Sequence, residues 1–132
     1  MKYGVVFAVL MSFSLQFICG CDDSPKEMLV DGNMVLFFDG LQKDVKIIRQ
    51  ISEILPGGLT RIRTQFKNTD DDTKWIDIQV VWRDADGMEL YKTSWQSFHL
   101  PGRSVEQYDI TSLKPAASYE FRIRKPDTKG KK

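Results

Sequence analysis

Apolar side chains in the body of this chain recur mainly at every second residue, which is the period of a β-strand and not of a helix. The clearest case runs from Trp75 to Arg83. Its even positions carry Ile, Ile, Val and Trp, and its odd positions carry mostly polar residues. Strands with one apolar face must bury that face against a second layer, so the pattern predicts stacked sheets.

Turn residues divide the rest of the body into further short strands. Asp86-Gly87 predicts a tight hairpin turn into a strand at 88–91, and Pro101-Gly102 ends the strand after it, at 95–100. Other predicted strands lie at 34–38, 59–68, 105–110 and 119–124. With no certain helix, these segments predict an all-β fold, an immunoglobulin-like or fibronectin type III-like antiparallel β-sandwich of about seven strands.

One segment, Val45 to Leu55, fits either kind of structure. As a helix it places its isoleucines on one side; as a strand it alternates imperfectly and requires a bulge near Ile48-Arg49. The β-branched isoleucines and the Pro56-Gly57-Gly58 turn favour the strand.

A short stretch near the end of the chain adds a more specific signal. The residues Leu113-Lys114-Pro115-Ala116-Ala117-Ser118-Tyr119 resemble the tyrosine corner of fibronectin type III domains. That resemblance implies that the Tyr119 phenol bonds to upstream backbone and fixes a crossover between the two sheets.

The first twenty residues predict the destination of the protein. Lys2 precedes an apolar run from Val5 to Ile18, which is typical of a secretory signal. The run ends in Ile18-Cys19-Gly20-Cys21, which resembles a bacterial lipobox. The resemblance implies lipidation of Cys21 and cleavage before it. Cys19 is unusual at its position, which leaves a retained membrane anchor as the weaker alternative, because the apolar run is shorter than a span requires.

These signals predict four segments. They are a signal peptide at 1–20, a lipidated tether at 21–31, a β-sandwich domain at 32–125 and a disordered basic tail at 126–132. The predicted location is the bacterial cell envelope, with the lipid in the inner or outer membrane and the domain facing the periplasm. Asp22 and Asp23 resemble an inner-membrane retention signal of enteric bacteria, but the leaflet stays open.

Charge and cysteine content argue against several functional classes. Lys2 is the one charged residue of the leader, so the remainder carries 18 Lys+Arg against 18 Asp+Glu. Such a neutral domain lacks the excess of cations typical of nucleic-acid binding, and we expect no nucleic-acid partner. One His and, outside the leader, one Cys argue against a zinc site. We expect neither a metal nor a cofactor.

Three acidic or titratable features are candidate sites. An EF-hand reading of Asp84-x-Asp86-Gly87 requires ligands at Trp82 and Thr93, which cannot serve, so a turn is favoured. The run Asp70-Asp71-Asp72 is typical of a solvated turn more often than of a cation site. His99 has no evident catalytic partner in the sequence, and we expect no catalytic residue.

Candidate binding residues come from the outward positions of the strands. They are the arginines Arg61, Arg63, Arg122 and Arg124 and the tryptophans Trp75 and Trp95. The arginines form one anionic-ligand patch if their strands are neighbours, or pair across strands with Asp77 and Glu120. Exposed tryptophans mark binding surfaces, although burial on the second sheet face is the favoured reading for both.

Three stretches together resemble the YcfL-like family of envelope lipoproteins. They are Phe66-Lys67-Asn68-Thr69, the segment from Val80 to Gly87, and Leu100-Pro101-Gly102-Arg103-Ser104. The resemblance implies an immunoglobulin-like sandwich on a lipid anchor, in a family with no assigned biochemical activity.

We therefore expect a non-enzymatic binding or scaffold domain, anchored to the membrane by its N-terminal lipid, with an envelope protein as partner. The alternative is a structural subunit of a secretion or cell-wall assembly complex. An enzyme requires an acid–base pair that the spacing of residues does not suggest.

Overall fold

A computed structural model of the chain describes residues 26–30 and 33–126. Within these residues it contains nine strands and one three-residue 3-10 turn, Leu41–Lys43, so the predicted all-β fold is confirmed. The strands are β1 (Lys26–Val30), β2 (Asn33–Phe37), β3 (Val45–Ile54), β4 (Thr60–Asn68), β5 (Lys74–Arg83), β6 (Glu89–Lys92), β7 (Gln96–Leu100), β8 (Val105–Thr111) and β9 (Ser118–Arg124).

The strands form two stacked sheets. The six-strand sheet has the order β1-β2-β9-β5, and the far edge of β5 pairs with both β6 and β7. The three-strand sheet has the order β3-β4-β8. All pairs are antiparallel except β2 with β9. The sandwich is therefore as predicted, and the strand additional to the predicted segments is β1.

β5 is a central strand of the six-strand sheet and supplies much of the core. Its inward residues Ile76, Ile78, Val80 and Trp82 are fully buried, on the face that the alternation predicts. The inward residues of β9, namely Tyr119, Phe121 and Ile123, pack beside them in one apolar cluster. Burial of these large side chains is the main favourable contribution to folding.

The strand beside β5 is interrupted between β6 and β7, and Thr93 bridges the gap. The backbone N–H of Thr93 donates to the carbonyl of Val80 at 3.0 Å. The N–H of Val80 donates in turn to Thr93 Oγ1 at 3.0 Å. The break thus costs no backbone hydrogen bond at Val80, which explains how a strand edge can change register without destabilising the centre of the sheet.

β3 is the segment that the sequence left open between helix and strand. It is a strand, and its pairing with β4 shifts register between Ile47 and Arg49, where the predicted bulge lies. The extra residue reverses the alternation, so that Gln50 points into the core and Ile51 points to solvent. Ile51 is consequently exposed, whereas Ile54 shares the alternation of Gln50 and is exposed at the end of the strand.

Part of the predicted tether is structured. Residues Lys26–Val30, assigned to the tether at 21–31, form β1 and pair with β2 along its whole length. The tether assignment does not hold for these five residues: Lys-Glu-Met-Leu-Val shows no alternation that would mark a strand, and its strand form depends on pairing with β2. The signal peptide, Cys21 and, apart from Pro126, the basic tail lie outside the described residues.

The crossover before β9 joins the two sheets as the tyrosine-corner resemblance implies. The Tyr119 phenol donates to Oε1 of Gln50 in the opposite sheet at 3.1 Å. Nε2 of Gln50 donates to Thr64 Oγ1 at 2.9 Å. A second phenol at the crossover, that of Tyr91, accepts from the backbone N–H of Leu113.

Tyr108 makes a second side-chain contact between the two sheets. It lies on β8, packs edge-on against Phe98 and Phe121, and donates its hydroxyl hydrogen to Oε1 of Gln96 on β7. Burial raises the pKa of this phenol to about 12, because the phenolate loses hydration among the aromatic rings. The contact therefore connects the two sheets in its neutral form.

Candidate binding surfaces

The four candidate arginines do not form one patch. Arg61 and Arg63 lie on β4 of the three-strand sheet, whereas Arg122 and Arg124 lie on β9 of the six-strand sheet. All four point outward, so the two pairs occupy opposite faces of the sandwich. The condition for a common anionic-ligand patch, neighbouring strands, is not met.

On the three-strand sheet the arginines lie among acidic partners. Arg61 Nη2 is 3.3 Å from Oδ2 of Asp109 on β8, and Glu53 on β3 approaches both Arg61 at 3.8 Å and Arg63 at 3.6 Å. These are partly exposed cross-strand ion pairs, each of small net stability. Beside them, Arg49 has no hydrogen-bond or ion-pair partner in the described part of the chain.

On the six-strand sheet the charges are covered. The carboxylate of Asp77 is buried, 3.6 Å from Nε of Arg124, and accepts from Ser97 Oγ at 3.1 Å. The Arg124 guanidinium lies 3.8 Å from the ring centre of Trp95, within cation–π distance. Trp95 is half-buried, and its ring covers the Arg124 guanidinium of the ion pair.

Arg122 completes the ion pairs of this face. Its Nε donates to Glu120 Oε2 at 2.8 Å, and Arg83 on β5 approaches the same carboxylate at 3.8 Å. Both candidate arginines of β9 thus have the acidic partners, Asp77 and Glu120, that the paired reading names.

Trp75 is the exposed aromatic residue of the same face. It is 54% exposed, and its ring contacts the His99 ring at a tilt of 34° with centres 4.6 Å apart. The favoured expectation of burial was wrong for Trp75, because the outward side of β5 has no further layer above this position. We call Trp75, Trp95, His99 and Arg124 the aromatic strip. His99, for which the sequence predicts no catalytic role, contacts the Trp75 ring.

The turn between β5 and β6 uses its acidic residues internally. Oδ1 of Asp84 accepts from the backbone N–H groups of Asp86, at 2.9 Å, and Met88, at 3.0 Å. Gly87 has φ of +83°, which a side chain would strain. The carboxylate that a calcium reading requires is therefore a turn-forming group.

The run of three aspartates is held by basic neighbours. The Lys74 amine lies 3.1 Å from Asp70 and lowers the pKa of that carboxyl through a side-chain hydrogen bond, while Asp71 accepts from Arg103 Nε at 2.6 Å. Within residues 26–30 and 33–126, no group of three His, Cys, Asp or Glu side chains is arranged to hold a metal ion.

Asn68 ties together the loops that carry the family-like motifs. Its buried side-chain amide donates to the carbonyls of Asp72, at 2.8 Å, and Leu100, at 3.1 Å, and its Oδ1 accepts from the N–H of Asp70. Its backbone N–H donates to the Ser104 carbonyl. We call this group of contacts the Asn68 knot. Sequence reasoning treated the Asn-Thr pair as a family signal, whereas its visible role is structural.

Gly102 is part of the same knot. A Cβ atom at this position would lie 1.9 Å from the carbonyl oxygen of Asp71, so any side chain would displace backbone. Arg103 follows with φ of +61°, a left-handed conformation that completes the turn. The Pro-Gly-x-Ser stretch is therefore a requirement of loop packing.

Two shallow cavities flank the outer edge of β3. One, of about 300 Å³, lies near its end between Ile54, Asn33 and Tyr119. The other, of about 290 Å³, lies near its start between β1 and β3, with Met28, Val45 and Ile47 among its lining residues. No helix in the described residues is long and apolar enough to cross a membrane.

Comparison with known proteins gives a family and a fold. The family model described as a protein of unknown function, DUF1425, matches residues 32–125. No curated protein sequence matches the chain. The crystal structure of Campylobacter jejuni cj0090 is similar at a TM-score of 0.60 and 17% identity, covering 70% of this chain and 97% of that one.

A DUF1425 family member from Shewanella sp. PV-4 is similar at a TM-score of 0.56 and 16% identity, covering 80% of this chain and 93% of that one. At such identities the two likenesses show a shared fold. The family match spans most of the sandwich, from β2 to the residue after β9. The chain therefore belongs to the DUF1425 family of proteins of unknown function.

Proposed function

We propose that this chain is a YcfL-like lipoprotein of the bacterial envelope, whose β-sandwich is a non-enzymatic binding or scaffold domain. The observation that carries the proposal is the aromatic strip, a preformed aromatic surface on a domain with a lipobox ahead of it. The lipid holds the domain at the membrane, and the strip binds an envelope protein in the periplasm.

The anchor part of the proposal is supported by the spacing between lipobox and fold. Cys21 precedes the first residue of β1, Lys26, by five positions. Five extended residues span at most about 18 Å. A lipidated Cys21 would therefore keep the sandwich close to the bilayer surface, and acyl chains there supply roughly 0.8 kcal/mol per buried CH₂.

The binding part is supported by the chemistry of the strip. Tryptophan and arginine are enriched among the residues that dominate protein–protein interfaces. Trp75 offers an exposed ring in contact with His99, which limits the side-chain freedom to be lost on binding. Trp95, on the same outer face, lies over Arg124.

The non-enzymatic part is supported by how the polar groups are used. Asp77 is engaged by Arg124 and Ser97, and Asn68 is engaged by two loop segments, at Asp70–Asp72 and at Leu100. A general acid or base must be free to exchange a proton with a substrate. These buried groups instead hold strands and loops together.

Mass spectrometry of membrane-extracted protein tests the anchor. We expect a mature chain that begins at Cys21 and carries acyl mass, and we expect the Cys21→Ser variant to lack that mass. A retained leader, or an unacylated protein released into the periplasm, would contradict the lipoprotein assignment.

Site-specific photocrosslinking in intact cells tests the strip. A photoreactive amino acid in place of Trp75 should capture a defined envelope protein, whereas the same probe at Leu113, which is also exposed, should not. Equal capture at both positions would contradict the assignment. A partner that remains bound through mild detergent extraction would favour the structural subunit of an envelope machine over a transient binding module.

A further inference from the structure

The side of the sandwich where β1 and β3 form the two sheet edges has an unusual surface. β1 is the outer strand of the six-strand sheet and β3 is the outer strand of the three-strand sheet. The cavity of about 290 Å³ between them is open to solvent and bordered by residues of both strands. We call this surface the β1–β3 side.

Large apolar side chains lie along both edge strands of this side, and the registers place Leu29 and Ile51 at its two rims, on the outer faces of their own sheets. The exposed ones are Met28 and Leu29 on β1 and Ile48, Ile51 and Ile54 on β3. Leu29 is 69% exposed and Ile54 is 78% exposed. The other large exposed apolar residues of the described chain, Trp75, Met88, Val105 and Leu113, are distributed over different elements. A concentration of this kind marks an interaction surface.

Basic residues accompany the apolar ones. Lys26, Lys46 and Arg49 lie on the same two strands, and Lys43 lies in the 3-10 turn beside the cavity. The acidic residues of these strands and of the position after the turn are Glu27, Glu53 and Asp44, and Asp44 is paired with Lys74 at 3.4 Å. Glu53 is engaged by Arg61 and Arg63, which leaves an excess of positive charge around the isoleucines.

The chain also enters the fold at this side. Lys26 is the first residue of β1, five positions after Cys21. A tether of at most about 18 Å brings this side to the bilayer at a high effective concentration.

From these observations we propose that the β1–β3 side lies on an anionic phospholipid surface. The inference rests on the proposed lipid anchor at Cys21. The isoleucines of β3 enter the headgroup region, and Lys46 and Arg49 approach lipid phosphates, as in other interfacial apolar-and-basic surfaces. The anchor then fixes the orientation of the domain as well as its location.

The bulge in β3 favours a membrane over an added strand as the occupant. Pairing between Ile47 and Arg49 is shifted even toward β4, so the free edge presents an irregular row of backbone groups. A partner strand requires a regular row, whereas a lipid surface requires only exposed apolar and cationic side chains.

The proposed orientation places the aromatic strip away from the membrane. β1 and β5 are separated by β2 and β9, which at about 4.8 Å per strand places Trp75 roughly 14 Å from β1 across the sheet. An envelope partner can then reach the strip while the β1–β3 side is occupied by lipid.

Spin labelling of the full acylated protein tests the orientation. The protein is reconstituted into vesicles of 70% phosphatidylethanolamine and 30% phosphatidylglycerol, with a nitroxide on Ile51→Cys and, as a matched control, on Leu113→Cys. Acylated Cys21 does not react. We expect the Ile51 label to become accessible to oxygen and shielded from a water-soluble nickel complex, and the Leu113 label to remain in water.

A charge variant tests the contribution of the basic residues. Lys46→Gln with Arg49→Gln should lower the ratio of docked to undocked domain about 25-fold, since each cation near an anionic surface contributes roughly a factor of five. Lys92→Gln with Lys114→Gln, the matched pair elsewhere, should leave the ratio unchanged.

The outcomes separate this inference from the anchor. An Ile51 label that stays in water on acylated, vesicle-bound protein overturns the docking and leaves the anchor standing, whereas protein without acyl mass refutes the anchor itself. Shielding that depends on protein density and not on phosphatidylglycerol identifies a second copy as the occupant. Shielding found only in native envelopes identifies a protein partner. Both overturn the lipid assignment.

Discussion

The outer faces of the two sheets differ in how far their acidic side chains are buried. On the six-strand sheet, Asp77 is buried against Arg124 under the ring of Trp95. On the three-strand sheet, Asp109 meets Arg61 at 3.3 Å, and its side chain is 39% exposed against 10% for Asp77. The two arginines are similarly exposed, at 34% and 32%, so the difference lies in the carboxylate, which is covered on one face and solvated on the other.

The alternation of a strand therefore does not determine how far its outward side chains are buried. β5 is central, and neighbours on both sides together with the Trp95 ring cover its outward positions Asp77, Gln79 and Val81, although not Trp75. β4 is also central, but most of its outward neighbours from β3 and β8 are charged or amide side chains. Covered polar groups contribute more to stability, and they are more costly to disturb.

The largest expected difference between the faces comes from removing one acid on each. Asp77→Ala should lower the free energy of unfolding by about 2–3 kcal/mol, because Arg124 is left without its partner in a partly dry site. Asp109→Ala should lower it by less than about 0.5 kcal/mol. Urea unfolding of the two variants measures both values, and equal losses would contradict the comparison.

The two tryptophans of the aromatic strip should separate in the same way. Trp95→Ala should lower the free energy of unfolding by about 2 kcal/mol through loss of the cation–π contact and of cover over Asp77. Trp75→Ala should cost less than about 1 kcal/mol and should abolish photocrosslinking from neighbouring positions. A loss at Trp75 as large as that at Trp95 would assign it a structural role.

Tyr108, which lies between the two sheets, should make the stability of the protein depend on pH. Its pKa is raised by burial to about 12, above the ordinary value of 10. The unfolded chain therefore loses this proton first, and the stabilising effect of the neutral phenol is complete below pH 10 and is lost as the pH rises toward 12.

Urea unfolding between pH 9 and 11.5 should show a steeper decline for the native sequence than for Tyr108→Phe. The phenylalanine variant should start from a lower value because the hydrogen bond to Gln96 is absent. Parallel declines in the two proteins would mean that Tyr108 titrates as it does in water.

The smallest expected effect concerns the exposed arginines. Arg63→Ala should change the free energy of unfolding by less than about 0.5 kcal/mol, since Glu53 retains Arg61 as a partner. The small loss should disappear in 1 M salt, where the Debye length is about 3 Å. A loss that persists in high salt would show that the side chain contributes by packing.

Much of the fold could be predicted because its signals are local. The alternation in β5, the Asp86-Gly87 turn and the bulge in β3 depend on residues that lie next to one another in the sequence. The inward face of β5 was assigned correctly for this reason. The predicted crossover between sheets also followed from a local stretch, at Leu113–Tyr119.

The remaining features depend on which strands become neighbours. β1 is stabilised by its register with β2, and the arginines of β4 and β9 are separated because those strands enter different sheets. The partner of the Tyr119 phenol, Gln50, is distant in sequence and faces inward only because of the bulge. The exposure of Trp75 likewise depends on what covers β5, which the pattern within β5 does not specify.

The Asn68 knot bears on how relatives of this chain can be interpreted. Its residues bind loop backbone, and Gly102 has no room for a side chain. Natural variation at these positions is therefore limited by folding alone, whatever the protein binds. Two relatives can share the whole motif and still recognise different molecules, because the aromatic strip and the β1–β3 side can vary without disturbing it. We therefore expect differences in binding specificity between relatives to arise from the aromatic strip and the β1–β3 side. Shared residues of the Asn68 knot indicate common ancestry.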